Sequence, residues 1–226
     1  MNKRPGRGDQ WADPKQGGPV DPETMELYRG LSRLPSPLWD DLDSLAPDSV
    51  CRRAGVIHRP GAGYIVPFLG VDHQIQPNLR SITVPPGARP PGFQTGLVLV
   101  NYLIHASEEG LSGRMATARE LNGGALFFQG PHTLSKKPVL ERYARDAEGL
   151  VIRALKWNAG RLPIGDGAFR VLALPKVLVA YTLYEEDDEF KARLTITFDE
   201  YTDRHLPLDG IWALINVMTH RLTLED

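Results

Sequence analysis

From Lys191 to Phe198 the chain alternates without a break. Ala192, Leu194, Ile196 and Phe198 are apolar, and Lys191, Arg193, Thr195 and Thr197 are polar. Successive side chains of a strand turn to opposite faces, so this segment predicts a strand with one buried and one wetted face. Just before it, Val177 to Tyr184 is apolar or aromatic on both faces apart from Thr182, the pattern of a central strand. The carboxylates from Glu185 to Glu189 are too charged to bury and predict the tip of a hairpin. The stretch from Gly165 to Asp199 therefore reads as three strands, interrupted once by Pro175 and once by this acidic turn.

Helical spacing appears on either side. Phe93 to Ala106 is apolar around most of its circumference except at Asn101 and His105, four residues apart and so on one face. That pair either lines a pocket or satisfies buried backbone groups. Ser135 opens a predicted helix carrying Val139, Leu140, Tyr143 and Ala147, and Leu150 to Asn158 predicts another that Gly160 stops. Pro207 starts a last helix, in which Leu208, Ile211, Trp212, Ile215, Met218 and Leu222 recur at three- and four-residue spacing. Near the start, Asp21 and Pro22 form a helix entry, followed by Leu27, Tyr28, Leu31 and Leu34, and then an amphipathic turn around Leu38, Trp39, Leu42 and Leu45. Residues 51–84 hold four short β-like runs, Ala54 to Arg59, Tyr64 to Leu69, Asp72 to Gln76 and Arg80 to Val84. The turn residues between them predict a small antiparallel meander.

The fold class expected is α+β, with antiparallel sheets packed against the Phe93–Ala106 and Pro207–Leu222 helices, the latter as an amphipathic cover. Residues 1–20, rich in Gly, Pro and charge, are expected to form a disordered tail. Residues 21–226 are expected to form one domain, with 51–84 as a small β subdomain. A net charge of −2 gives no global field for nucleic acid or a membrane surface. No signal-peptide pattern is visible and no apolar run is long enough to span a bilayer, so the cytoplasm is the expected compartment. The single cysteine, Cys51, excludes an intramolecular disulfide and reads as a small apolar residue opening a strand.

No nucleophile elbow, Walker loop or zincin helix is present, and the six histidines pair at no metal-binding interval. Three segments remain as candidates. Arg114 and Arg119, framed by glycines between Gly110 and Gly130, could hold an anionic group; the structural alternative is a tight loop. The acidic tip could gather a cation or a basic partner, or be merely solvated. The corner from Phe198 to Pro207 places Asp199, Asp203 and His205 between a strand end and a helix start, where Asp199 and His205 could form an acid–base pair at the rim of a hollow.

Several short motifs also occur in order: Asn101-Tyr102-Leu103-Ile104, Leu111-Ser112-Gly113, Arg119 to Gly124, Gly165-Asp166, Ala173-Leu174-Pro175, Asp188-Glu189-Phe190 and Thr197-Phe198-Asp199. With these landmarks the chain, from about Leu27 to Leu222, resembles the family known as domain of unknown function 3786. The resemblance implies a mostly bacterial and archaeal family, common in anaerobes, with some relatives joined to a cysteine-rich iron–sulfur module. Accessory work around a redox or one-carbon cofactor would follow. With Cys51 alone, this chain cannot hold such a cluster by itself, and the likeness supplies no catalytic residues. The function expected is thus a non-catalytic accessory protein binding a cofactor or small anionic ligand of unknown identity through Arg114, Arg119, Asp199 and His205. The alternatives are an enzyme using Asp199 and His205, and an interaction module whose acidic tip and basic tail bind protein partners.

Overall fold

The computed structural model describes residues 34–224. The expected tail and the helix entry at Asp21 lie outside them. Two antiparallel sheets and seven α-helices make up the described chain, an α+β fold. The first sheet, in the order β1 (Ile57–Arg59), β2 (Gly63–Phe68), β3 (Val71–Gln76) and β4 (Ser81–Thr83), is the predicted meander. It follows two short helices, α1 (Ser36–Ser44) and α2 (Pro47–Ala54). Cys51 and Ala54 belong to α2 and not to a strand: Pro47 at the first turn and Gly55 in the left-handed region beyond the end frame a helix whose apolar face is Val50 and Ala54.

The second sheet has the order β5–β9–β8–β7–β6, with β5 (Met115–Thr117), β6 (Gly160–Leu162), β7 (Gly167–Leu174), β8 (Val177–Tyr184) and β9 (Arg193–Asp199). In β9, Leu194, Ile196 and Phe198 are buried while Thr195 and Thr197 are only partly covered, as the alternation requires. β8 is central in the order, yet its two faces differ. Val177, Val179, Tyr181 and Leu183 are buried, whereas on the other face only Ala180 is buried, Leu178 and Thr182 are half-buried and Tyr184 is exposed.

Two long helices pack together beside this sheet: α3 (Phe93–His105) and α7 (Leu208–Thr223). The expected amphipathic cover is in fact a core helix. Ala213, Leu214 and Val217 of α7 are buried along with Ile211, Ile215, Met218 and Leu222. The smaller α4 (Gly124–Phe127), α5 (Lys137–Tyr143) and α6 (Ala147–Leu155) fill the connection between β5 and β6. Ala147 belongs to α6, where Asp146 caps the helix by accepting from Gly149 N at 2.9 Å, so the helix expected from Ser135 is two. Gly160 opens β6 beyond the helix end. On α3, Asn101 turns back to donate to its own helix at Leu97 O (3.0 Å), the backbone-satisfying reading, while His105 is exposed. The sheets meet where Leu69 N donates to Ala173 O at 3.1 Å, and one hydrophobic core runs through both.

Candidate functional site

Asp199 ends β9 and is fully buried. Its carboxylate lies over the loop that follows α3 and accepts four hydrogen bonds. Oδ1 takes Ser112 N and Tyr201 N, each at 3.0 Å; Oδ2 takes Gly113 N at 2.9 Å and the Ser112 hydroxyl at 3.1 Å. Gly113, at φ +80°, adopts the left-handed conformation that turns its N–H inward beside that of Ser112. The loop does cradle an anion, and the anion is the protein's own. Burial pushes the Asp199 pKa up, but the N–H groups of Ser112, Tyr201 and Gly113 with the Ser112 hydroxyl outweigh it and hold the group below the ordinary carboxylate value.

His205 is also fully buried. Its Nδ1 faces Ser107 N at 3.3 Å and the Ser107 hydroxyl at 3.1 Å, which makes Nδ1 the acceptor and places the proton on Nε2. Burial and then the Lys176 ammonium lower its pKa and keep the ring neutral. Asp199 and His205 make no hydrogen bond to each other. Neither side chain lines any of four cavities of about 320 to 660 Å³ that open elsewhere on the described residues. The expected open corner is closed. Asp199 is spent on the loop's donors and His205 meets the loop through Nδ1, its Nε2 buried without a partner; fully buried, the two side chains offer no reacting group to solvent.

The same loop is held from other directions. Arg53 Nη1 donates to Ile104 O (2.9 Å) and Ala106 O (2.7 Å), and Lys176 Nζ to Ser107 O (2.8 Å), so two cations serve the carbonyl end of α3. Arg114 pairs with Glu200 at 2.8 Å, Arg204 with Glu109 and Arg52 with Glu108. Arg114, Asp199 and His205 therefore belong to one structure. Asp203 serves the next loop, accepting from Asn122 N at 2.7 Å.

Arg119 lies elsewhere. Gly123, at φ +75°, and Gly124 set the turn beyond it; a Cβ on Gly124 would fall 1.9 Å from Ala118 O, so only glycine lets the chain close here. Arg119 lines a cavity of about 320 Å³ together with Lys136, Thr133, Thr195, Phe128 and Leu134, and its guanidinium makes no hydrogen bond or ion pair with any described residue. The Lys136 ammonium is likewise unpaired among the described residues; the side chain is half-buried, and burial lowers its pKa. The hydroxyls of Thr133 and Thr195 make no hydrogen bond there either, and no carboxylate lines the cavity.

The acidic tip is largely consumed by the fold. Glu185 accepts from Ala147 N at 2.6 Å, Glu186 pairs with Arg145 at 2.9 Å, and Asp187 accepts from Glu189 N and Phe190 N. Among the described residues no three His, Cys, Asp or Glu side chains gather as a metal site would require, and no helix is long and apolar enough to cross a membrane.

Residues 46–221 match the sequence model of the family described as Domain of unknown function (DUF3786). The chain belongs to the DUF3786 family. No curated protein and no solved structure matches it. The DUF3786 match spans both sheets, the clamped loop and the Arg119 cavity. Sequence reasoning alone misses Lys136, Thr133 and Phe128 in this DUF3786 chain. The one local signal is the Ser135-Lys136-Lys137 run beside Gly130, which reads only as a helix entry until β9 is laid against it.

Proposed function

We propose that this protein is a non-catalytic binder of a small, doubly charged anion, held between Arg119 and Lys136. One observation carries the proposal. Two cations without an acidic partner share a cavity that no carboxylate enters. Elsewhere Arg52, Arg80, Arg114, Arg145, Arg161 and Arg204 each meet Asp or Glu. Keeping Lys136 half-buried and unpaired costs free energy that a bound anion would offset. Two cations favour a dianion, and the Thr133 and Thr195 hydroxyls are donors for its remaining oxygens. Phe128 and Leu134 favour an apolar group attached to it. An accessory role near a redox or one-carbon cofactor, as the family likeness implies, fits a phosphorylated cofactor fragment as occupant.

The test is thermal unfolding of the full chain with inorganic phosphate, phenyl phosphate and succinate, compared with the R119A/K136A double variant. A ligand at about 100 times its Kd adds roughly 2.7 kcal/mol of stability, a readily measured rise in Tm. The rise is expected for wild type and lost in the double variant. No rise with any of the three, or an equal rise in the variant, overturns the proposal.

A further inference from the structure

β8 carries apolar side chains on both faces, but only one face is sealed. On the other, half-buried Leu178 pairs across the strands with Leu172, which is 50% exposed. The two leucines lie in a cleft of about 660 Å³ between this face and the β2–β3 turn, walled by Trp157 and by Leu111, itself 42% exposed. The wall is fixed: a Cβ on Gly70 would stand 3.2 Å from Trp157 Cα, so turn and helix end are already in contact.

The polar chemistry of the cleft is one-sided. Arg170 lies two residues before Leu172 on the same face of β7, and its guanidinium makes no hydrogen bond or ion pair with any described residue. The Asn158 side-chain amide and the Trp157 indole N–H are also unpartnered there, and no Asp or Glu lines the cleft. A single guanidinium beside an apolar floor calls for one negative charge on a hydrocarbon or aryl body.

We propose that this cleft binds a small amphipathic monocarboxylate, its head on Arg170 and Asn158 and its body along Leu172 and Leu178. The site is independent of the Arg119 cavity, with which it shares no residue.

Isothermal titration of the full chain with octanoate and with octan-1-ol tests it, with Trp157 fluorescence as a second readout. Octanoate is expected to bind saturably and R170A to weaken it about tenfold or more, the worth of one charge-assisted contact. R170A leaves octanol binding unchanged, L172D weakens both ligands, and R119A/K136A weakens neither. Position 170 is exposed and Leu172 half-exposed, so both single variants should fold, which their unfolding midpoints check. W157F is expected to lose the fluorescence change and keep the heat of binding. The proposal is overturned if octanoate shows no saturable binding at millimolar concentrations, if R170A binds it as wild type does, or if binding is lost in R119A/K136A instead.

Discussion

Replacing Asp199 with Asn removes one charge while preserving shape, and the bonding pattern gives the cost. The Asn carbonyl oxygen can keep the two donors now on Oδ1, Ser112 N and Tyr201 N. The amide nitrogen then faces the two donors on Oδ2. The Ser112 hydroxyl can rotate and accept, but Gly113 N, now 2.9 Å away, cannot. One part-buried N–H left unsatisfied costs about 1–3 kcal/mol, and the surviving bonds lose their charge assistance. A destabilisation of about 3 kcal/mol follows, which at an m-value of about 2 kcal/mol/M moves the urea midpoint by roughly 1.5 M. Amide hydrogen exchange should quicken first at Ser112 and Gly113. Because the folded-state pKa of Asp199 is lowered, its contribution is full above the ordinary carboxylate value of 3.8 and fades as pH falls through the folded pKa. Wild type and D199N should therefore differ at neutral pH and converge in strong acid. A loss below about 1 kcal/mol near pH 7, or one that persists unchanged in acid, would refute the clamp.

Two further substitutions probe other parts of the fold. His73 on β3 is 1% exposed, with Nδ1 facing Val71 O, Nε2 unpartnered, the Phe68 ring at its edge and the Arg221 and Asp72 charges nearby. Burial lowers its pKa from 6.5 to about 4, so stability is intact above the unfolded value and falls as pH drops from there toward about 4. His73→Leu should remove about 2 kcal/mol of the loss between pH 7 and pH 5, read from urea midpoints, and an unchanged pH slope would count against a neutral buried ring. Gly124→Ala should cost about 1–3 kcal/mol by forcing Ala118 aside, and should shrink the rise in unfolding temperature with phenyl phosphate; a variant with wild-type stability would show the turn can yield.

What the residues reveal in advance depends on periodicity. The Leu194–Ile196–Phe198 alternation and the apolar run of α3 are local signals that burial alone reads out, and both elements lie where the pattern puts them. α7 reads as a cover because its polar positions are spaced along one side, yet Asn216 and Thr219 are buried; Thr219 donates to Ser135 O at 2.7 Å. Such bonds depend on partners 84 residues away, which spacing cannot supply. The candidate site assembles only in part for the same reason. Arg114 and Arg119 are near neighbours in the chain, but the turn between β5 and α4 sends one to Glu200 and the other toward Lys136. Asp199 and His205 do share one corner, and their partners on the 107–113 loop have no signature in the local pattern.

Four side chains from outside residues 106–114 hold that segment by its main chain: the Asp199 oxygens, His205 Nδ1, Arg53 and Lys176 all reach amides or carbonyls. Main-chain atoms are the same whatever side chain hangs beside them. The segment should accept exchange of the exposed Glu108, Gly110 and Leu111, as long as Gly113 and the four outside side chains stay. A saturation library would then show tolerance at those three loop positions and intolerance at the distant Arg53, Lys176, Asp199 and His205.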